Sequence, residues 1–338
     1  MARFFQGFER KNFVWAGQNQ DSFSLPDGRV FNEMDLLISM DIDTTTSTNH
    51  ASNAGMLKLI EKLEVVDSDA KTYLSVSGEA LFNEYKDQNG VDYTNDGLVE
   101  GSASSATRRQ YIKVPYELLN GALPTDTNLN TIDKDLTLKI SYLDPSVAGV
   151  LYGTTTGLSV SGVNIRVGFG EYGGYANTQN PDGTVTEDGD FTADKNRPAR
   201  NRVEFVHPVE ATNDDAKIML PIDSQYRGVT LMAQEKINGI WVPSAAVINP
   251  NKEVAVRSTG DQQKHRGLQT RFWRNETFRE RGMSALPDGL LSINMIRHGR
   301  LSQMRQSLKG SQLYIAVPQV KTANECRILV LPDTVINQ

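Results

Sequence analysis

The chain has 338 residues, 38% of them hydrophobic and 22% charged, with a formal net charge of −6; this length suits two domains of ordinary size, and the acidic balance argues against a free nucleic-acid binder. The single cysteine, Cys326, excludes an internal disulfide framework and reads as a buried strand residue. No apolar run approaches the roughly 18 residues needed to span a bilayer, and the opening MARFFQGFERKNFVW, interrupted by Arg3, Arg10 and Lys11, does not read as a secretory signal.

The first stretch carries Phe4, Phe5, Phe8, Phe13 and Trp15 among its basic residues. Phe4, Phe5 and Phe8 would share one side of a short helix. Residues 1–20 therefore read as an arm that packs on its own domain or on a neighbour, or lies at a membrane surface through Arg3, Phe4, Phe5, Phe8, Arg10 and Lys11. After it, LPDG at 25–28 predicts a tight turn into the strand RVFNEMDLLISM. LKLIEKLEVVD and KTYLSVSG follow as strands with period-two alternation. GEALFNEYKDQNG differs: Leu81, Phe82 and Tyr85 have helical spacing, and Asn89-Gly90 closes a helix over 79–88. RRQYIKVPY and KDLTLKISYLD are two more strands, with a helical turn at 115–120 between them. DPSVAGVLYGTTTG at 144–157 reads as a linker between two β domains.

The second half continues in the same style. GLSVSGVNIRVGFG, NRVEFVHPVE, AKIMLPI, RGVTLMAQEK, IWVPSAAVI and KEVAVRST are short β-type runs. EKINGIWVP places Asn238-Gly239 between apolar runs, the strongest hairpin signal in the chain. A second LPDG at 286–289 turns into LLSINM, GRLSQMRQSL at 299–308 reads as helix, and GSQLYIAVPQV with ECRILVLPDTVI reads as a closing pair of strands. Two polar loops, 88–107 and 171–200, are long enough to be interactive. Many short strands at 8–12-residue spacing predict an all-β chain of sandwiches or barrels.

Chemistry-bearing motifs are sparse. GFGEYGG matches a dinucleotide fingerprint, but loop residues rather than a helix follow it. His50, His207, His265 and His298 lack ligand spacing, and there is no paired-cysteine motif for zinc. Asp182, Glu187, Asp188, Asp190 and Asp194 fit a solvated loop better than a calcium loop. RFWRNETFRER mixes Arg271, Arg274 and Arg279 with Trp273 and Phe278, a composition that suits a subunit interface. Charge is also segregated: residues 41–100 hold twelve acids against four bases, and residues 264–310 hold ten bases against three acids. Such segments could meet across a subunit contact.

Three stretches carry a family resemblance. They are SLPDGRVFNEMDLLIS, then KTYLSVSGEALFNEYKDQNG, and then LPDGLLSINMIRHGRLSQMRQSLKGSQLYIAVPQVKTANECRILV. Their wording resembles the major capsid proteins of tailless icosahedral phages with an internal membrane, of the corticovirus and finnlakevirus type. The resemblance implies a double jelly roll, two eight-stranded β-sandwiches in tandem with a few short helices, at 21–150 and 151–338. It implies a non-enzymatic virion protein made in the host cytoplasm. Three chains would form a pseudo-hexagonal capsomer beside neighbouring capsomers, penton and minor capsid proteins. The loops 88–107 and 171–200 would stand outward, and the arm would point to the internal lipid membrane. The resemblance implies no cofactor and no specific nucleic-acid binding; some relatives bind calcium, with no ligands assignable here. The alternatives are a phage receptor-binding or carbohydrate-binding β-sandwich, and a sandwich glycosidase whose carboxylates meet only in space.

Overall fold

The structure is a computed structural model that describes residues 4–45, 50–89, 97–100, 102–116, 127–131, 134–173, 178–179, 185–186, 198–260, 264–274, 288–295 and 305–336. In chain order the first half runs β1 (Phe4–Val14), β2 (Gln20–Ser24), β3 (Val30–Thr44), a 3-10 turn (Gly55–Leu59), β4 (Ile60–Asp67), β5 (Thr72–Val76), α1 (Gly78–Asn89), β6 (Ser104–Pro115), β7 (Leu129–Asn130), β8 (Leu136–Tyr142) and β9 (Leu158–Gly173). The second half runs β10 (Thr178–Gln179), β11 (Val185–Thr186), β12 (Ala199–Val203), β13 (Phe205–Pro208), β14 (Asn213–Met219), β15 (Ser224–Ile237), β16 (Ile240–Pro243), a 3-10 turn (Ala245–Val247), β17 (Glu253–Ser258), β18 (Lys264–Gln269), β19 (Leu290–Asn294), β20 (Arg305–Ser307), β21 (Leu313–Gln319) and β22 (Cys326–Ile336).

Alternation drives the first sandwich. In β3, Met34, Leu36, Ile38, Met40 and Ile42 point to the core while Asp35, Ser39 and Asp41 point out; in β8, Leu136, Leu138 and Ile140 do the same. One sheet has the order β1-β9-β3-β6, with β7 added on β3, and the facing strands are β2-β8-β4-β5. Their inner faces share one core that runs from Phe13 to Ala199 and takes in Leu331. The second sandwich packs the sheet β14-β21-β17-β18 against strands grouped around β15 and β22, over a second core from Val209 to Val330. The two sandwiches are joined by a sheet. Strand β12 pairs in parallel with β5 through Arg202↔Leu74 and antiparallel with β22 through Arg200↔Val335, so one eleven-stranded sheet crosses from first unit to second.

Several expectations are met. The helix lies at Gly78–Asn89. Asn238 (φ 51°) and Gly239 (φ 84°) form a two-residue hairpin between Ile237 and Ile240, the mirror-image turn whose twist matches the strands it joins. Both LPDG copies turn on a left-handed glycine, Gly28 at φ 64° before β3 and Gly289 at φ 72° before β19. Only 288 and 289 of the second copy are described.

Others need correction. The stretch read as an arm is strand β1, paired antiparallel with β9 from Phe4↔Gly173 to Val14↔Asn164. Its aromatics sit in an extended chain because β9 offers a free ladder, a partner invisible in local spacing. The division at 150 cuts through the first sandwich, since β9 lies after it yet is the strand between β1 and β3. The linker at 144–157 carries Val150, Leu151 and Tyr152 into the first core. Residues 305–307, read as helix, pair with β15 instead; residues 299–304 and 117–120 lie outside the described residues. The last two strands are consecutive but not partners: β21 pairs β14 and β17, while β22 pairs β15 in the opposite sheet.

Candidate functional site: the seam between the sandwiches

Helix α1 is where the two units meet. Ser77 caps it, its Oγ accepting from the Ala80 amide at 3.1 Å. Gly78 is required by close approach: a Cβ there would lie 1.8 Å from the Leu57 carbonyl oxygen. The helix then presents two buried carboxylates to the second sandwich. Glu79 Oε2 accepts from Lys58 Nζ at 2.5 Å and from Arg327 Nη2 at 2.8 Å, and Glu79 Oε1 accepts from Gln234 Nε2. Arg327 Nε in turn donates to Gln234 Oε1 at 2.8 Å, and its guanidinium stacks 4.1 Å from the Trp241 ring centroid. Burial pushes the Glu79 carboxyl up, but Lys58 and Arg327 together hold it below its ordinary value.

One turn on, Glu84 splits its oxygens between two arginines of β12. Arg200 Nη2 donates to Oε1 at 2.7 Å and Arg202 Nη1 donates to Oε2 at 2.8 Å. Arg200 also grips Asp333 of β22, Nε to Oδ1 at 2.8 Å and Nη2 to Oδ2 at 3.1 Å, and Arg227 of β15 donates from Nε to Asp333 Oδ2 at 2.7 Å. Burial would raise the Asp333 carboxyl; Arg200 and Arg227 hold it well below the usual carboxylate range. Glu204 behaves oppositely. It accepts from the Ser77 amide at 2.6 Å, yet burial, with Glu79 adding to it, raises its carboxyl above the ordinary value. Buried ion pairs of this kind add little net stability over apolar packing, but losing one partner is costly, so they specify how two bodies fit.

A second contact latches the units. The hairpin tip at Asn238-Gly239 lies against a turn of the first sandwich, where a Cβ on Gly153 would stand 2.3 Å from the Asn238 oxygen and one on Gly149 would stand 2.9 Å from the Gly239 oxygen. Clefts flank the helix. One of about 550 Å³ is lined by His50, Phe82, Lys86 and Glu100 of the first unit and Ile237, Ile240 and Val242 of the second; another of about 390 Å³ is lined by Lys58, Glu79, Glu204 and Arg327.

The residues singled out in the sequence fall elsewhere. Arg10 is held inside the first sandwich, where Nε and Nη2 reach Glu171 Oε1 at 2.8 and 2.5 Å, and Glu171 is 2% exposed. Lys11 is exposed, its Nζ 5.7 Å from the Phe13 ring centroid. Of Phe4, Phe5 and Phe8 only the backbone is described, and Arg3 lies outside the described residues. Trp273 is 1% exposed and donates from Nε1 to the Val254 carbonyl at 3.0 Å, so it belongs to the second core rather than to an interface. Its neighbour Phe272 is the exposed aromatic, at 52%. Arg271 is exposed beside Asn251, Arg274 approaches Asp288 at 3.8 Å, and Phe278 and Arg279 lie outside the described residues. Gly168 and Gly170 sit within β9, not before a helix. No group of three metal-ligating side chains occurs among the described residues.

Sequence reading missed the whole seam. Glu84 and Arg200 are 116 residues apart, and Arg200 and Asp333 are 133 apart. The one local signal was Arg200-x-Arg202 in a short strand, where alternation must send both guanidiniums to the same face.

No family model matches the chain, and no curated protein matches it. Solved structures do. The STIV MCP, of Sulfolobus Turreted Icosahedral Virus, aligns with a TM-score of 0.68 at 12% identity over 99% of this chain and 97% of its own. The major capsid protein of bacteriophage PM2 aligns at 0.61 and 12% identity over 100% and 98%. The PBCV-1 virus capsid protein aligns at 0.55 and 9% identity over 100% and 95%. The likeness spans both sandwiches and shows the fold, a double jelly roll.

Proposed function

We propose that the chain is a major capsid protein, a structural component that tiles the shell of an icosahedral virion. The observation that carries this reading is the end-to-end alignment with viral coat proteins of a chain whose two sandwiches are locked by one continuous sheet and a buried ionic seam. A tile must transmit load between its halves without hinging, and a shared sheet with a buried ionic seam suits that demand. The role is non-enzymatic in this reading, in which Glu79, Glu84 and Asp333 serve as ion-pair partners of arginine and lysine that fix the seam.

At finer detail, three copies assemble into a pseudo-hexagonal capsomer that packs against neighbouring capsomers and against penton and minor capsid proteins. Arg271, Arg274 and the exposed Phe272 are the described candidates for the subunit contact, an arginine-aromatic set suited to an interface centre. The segregation of acids in 41–100 from bases in 264–310 favours their meeting between copies. The basic and aromatic start of the chain supports contact with an internal membrane or with a neighbouring subunit. Synthesis takes place in the host cytoplasm, and the protein resides in the virion.

Size-exclusion chromatography with light scattering tests the reading. A species of three times the 37.4 kDa chain mass is expected, with a three-fold, hexagonal outline in negative-stain images. Phe272→Ser is expected to yield a folded monomer. A wild-type chain that stays monomeric at high concentration would overturn the assignment.

A further inference from the structure

One strong donor edge in the seam is met by no group among the described residues. Arg202 is 0% exposed and donates from Nη1 to Glu84, but its Nε and Nη2 have no hydrogen-bond partner. Those two N–H groups form the side-on edge of the guanidinium, the fork that takes anions. The ring of Tyr116 lies against the guanidinium, with Arg202 Cζ 6.0 Å from its centroid. The Tyr116 hydroxyl, in a residue 1% exposed, is also without a partner. Asn83, the helix residue before Glu84, is 3% exposed and its amide atoms are unmet as well. Unmet buried donors are rare and costly.

Charge decides what kind of occupant fits. Among the described residues the cluster holds Arg200, Arg202 and Arg227 against Glu84 and Asp333. Glu84 is divided between Arg200 and Arg202, and Asp333 between Arg200 and Arg227. Arg202 therefore shares the Glu84 carboxylate with Arg200, with Asp333 as a more distant counter-charge. Burial, opposed by Glu84 and reinforced by Arg200, leaves its guanidinium below the ordinary value. A neutral occupant would satisfy the N–H groups and leave the charge; a monovalent anion satisfies both. Complete burial of Arg202 limits the occupant to a few atoms.

We propose that the Nε–Nη2 edge of Arg202, with the Tyr116 hydroxyl, binds a small inorganic monovalent anion of the halide class and so stabilises the union of the two sandwiches. The site is independent of whether the chain builds a shell.

Thermal unfolding of the full chain at fixed ionic strength, with sodium chloride exchanged stepwise for sodium gluconate, tests this. The Tm is expected to rise with chloride and then saturate, by about 2 °C or more, with bromide substituting. Arg202→Met abolishes the response. Should that variant fail to fold, Tyr116→Phe keeps the ring, removes one donor and moves the chloride midpoint several-fold higher. A bromide-soaked crystal is expected to give an anomalous peak within hydrogen-bonding reach of Arg202 Nε and Nη2. Equal Tm in chloride and gluconate overturns the proposal, as does a water at that edge in place of bromide. A chloride response unchanged in Tyr116→Phe with no peak at Arg202 overturns it too.

Discussion

Glu84 is the residue on which both β12 arginines depend, since each of its oxygens takes one guanidinium. Glu84→Gln keeps the shape and removes the charge, leaving Arg200 and Arg202 buried with too few counter-ions. A loss of about 3–5 kcal/mol is expected, read from the midpoint of chemical denaturation. Glu204 is the converse case. Its folded carboxyl titrates above the ordinary value because it is buried near Glu79, so the folded state binds the proton more tightly than the unfolded state does. Its ionised form is therefore a burden at neutral pH, relieved as pH falls through the raised value. Glu204→Gln keeps an acceptor for the Ser77 amide and is expected to raise Tm at pH 7. An unchanged or lower Tm would remove Glu204 from this account. Glu79 and Asp333 have depressed values. Their stabilisation is present above the unfolded carboxylate range and is lost as pH falls below it. Acid unfolding is expected from about pH 4 downward, and the Glu204→Gln variant should reach it at nearly the same pH.

At the scale of elements, the hairpin β15–β16 shows how a local signal acquires a distant role. Asn238-Gly239 is legible as a turn from two letters. Its use as a latch is not, because the receiving glycines, Gly149 and Gly153, lie 85 or more residues earlier in a segment that read as a linker. Gly153→Ala would drive a methyl into the Asn238 carbonyl. It is expected to cost about 1–3 kcal/mol and to open the adjacent cleft, seen as faster amide exchange at 237–240. The N-terminal strand carries the same lesson. Phe4, Phe5 and Phe8 have a spacing that suits a helix turn, and what overrides it is the ladder offered by β9 and the half-buried pair Arg10–Glu171. A tertiary partner outweighs a local preference worth tenths of a kcal/mol per residue.

For the whole molecule, the joining sheet sets what can fold alone. A fragment of residues 1–150 lacks β9, which lies between β1 and β3 and supplies Ile165, Val167 and Phe169 to the first core. It is expected to be unfolded by circular dichroism, whereas a fragment ending after β12 retains every strand of the first sandwich. A folded 1–150 fragment would mean that the sheet order does not govern stability.

The sequence by itself determined the all-β class, the placement of most strands, the helix over 79–88, the Asn-Gly hairpin and both Asp-Gly turns. These are short-range properties: period-two alternation and the φ a glycine permits act within a few residues of the chain. Only the tertiary structure decided which strands pair, that the first sandwich reclaims β1 and β9, that β21 and β22 lie in opposite sheets, and that Glu79, Glu84, Arg200, Arg202 and Asp333 converge. The pairings that build the first sheet and the Glu79–Arg327 contact join residues some 60 to 250 positions apart. A strand's alternation says which face is buried but not against whom, and a charge reveals its partner only when the fold has removed the water between them.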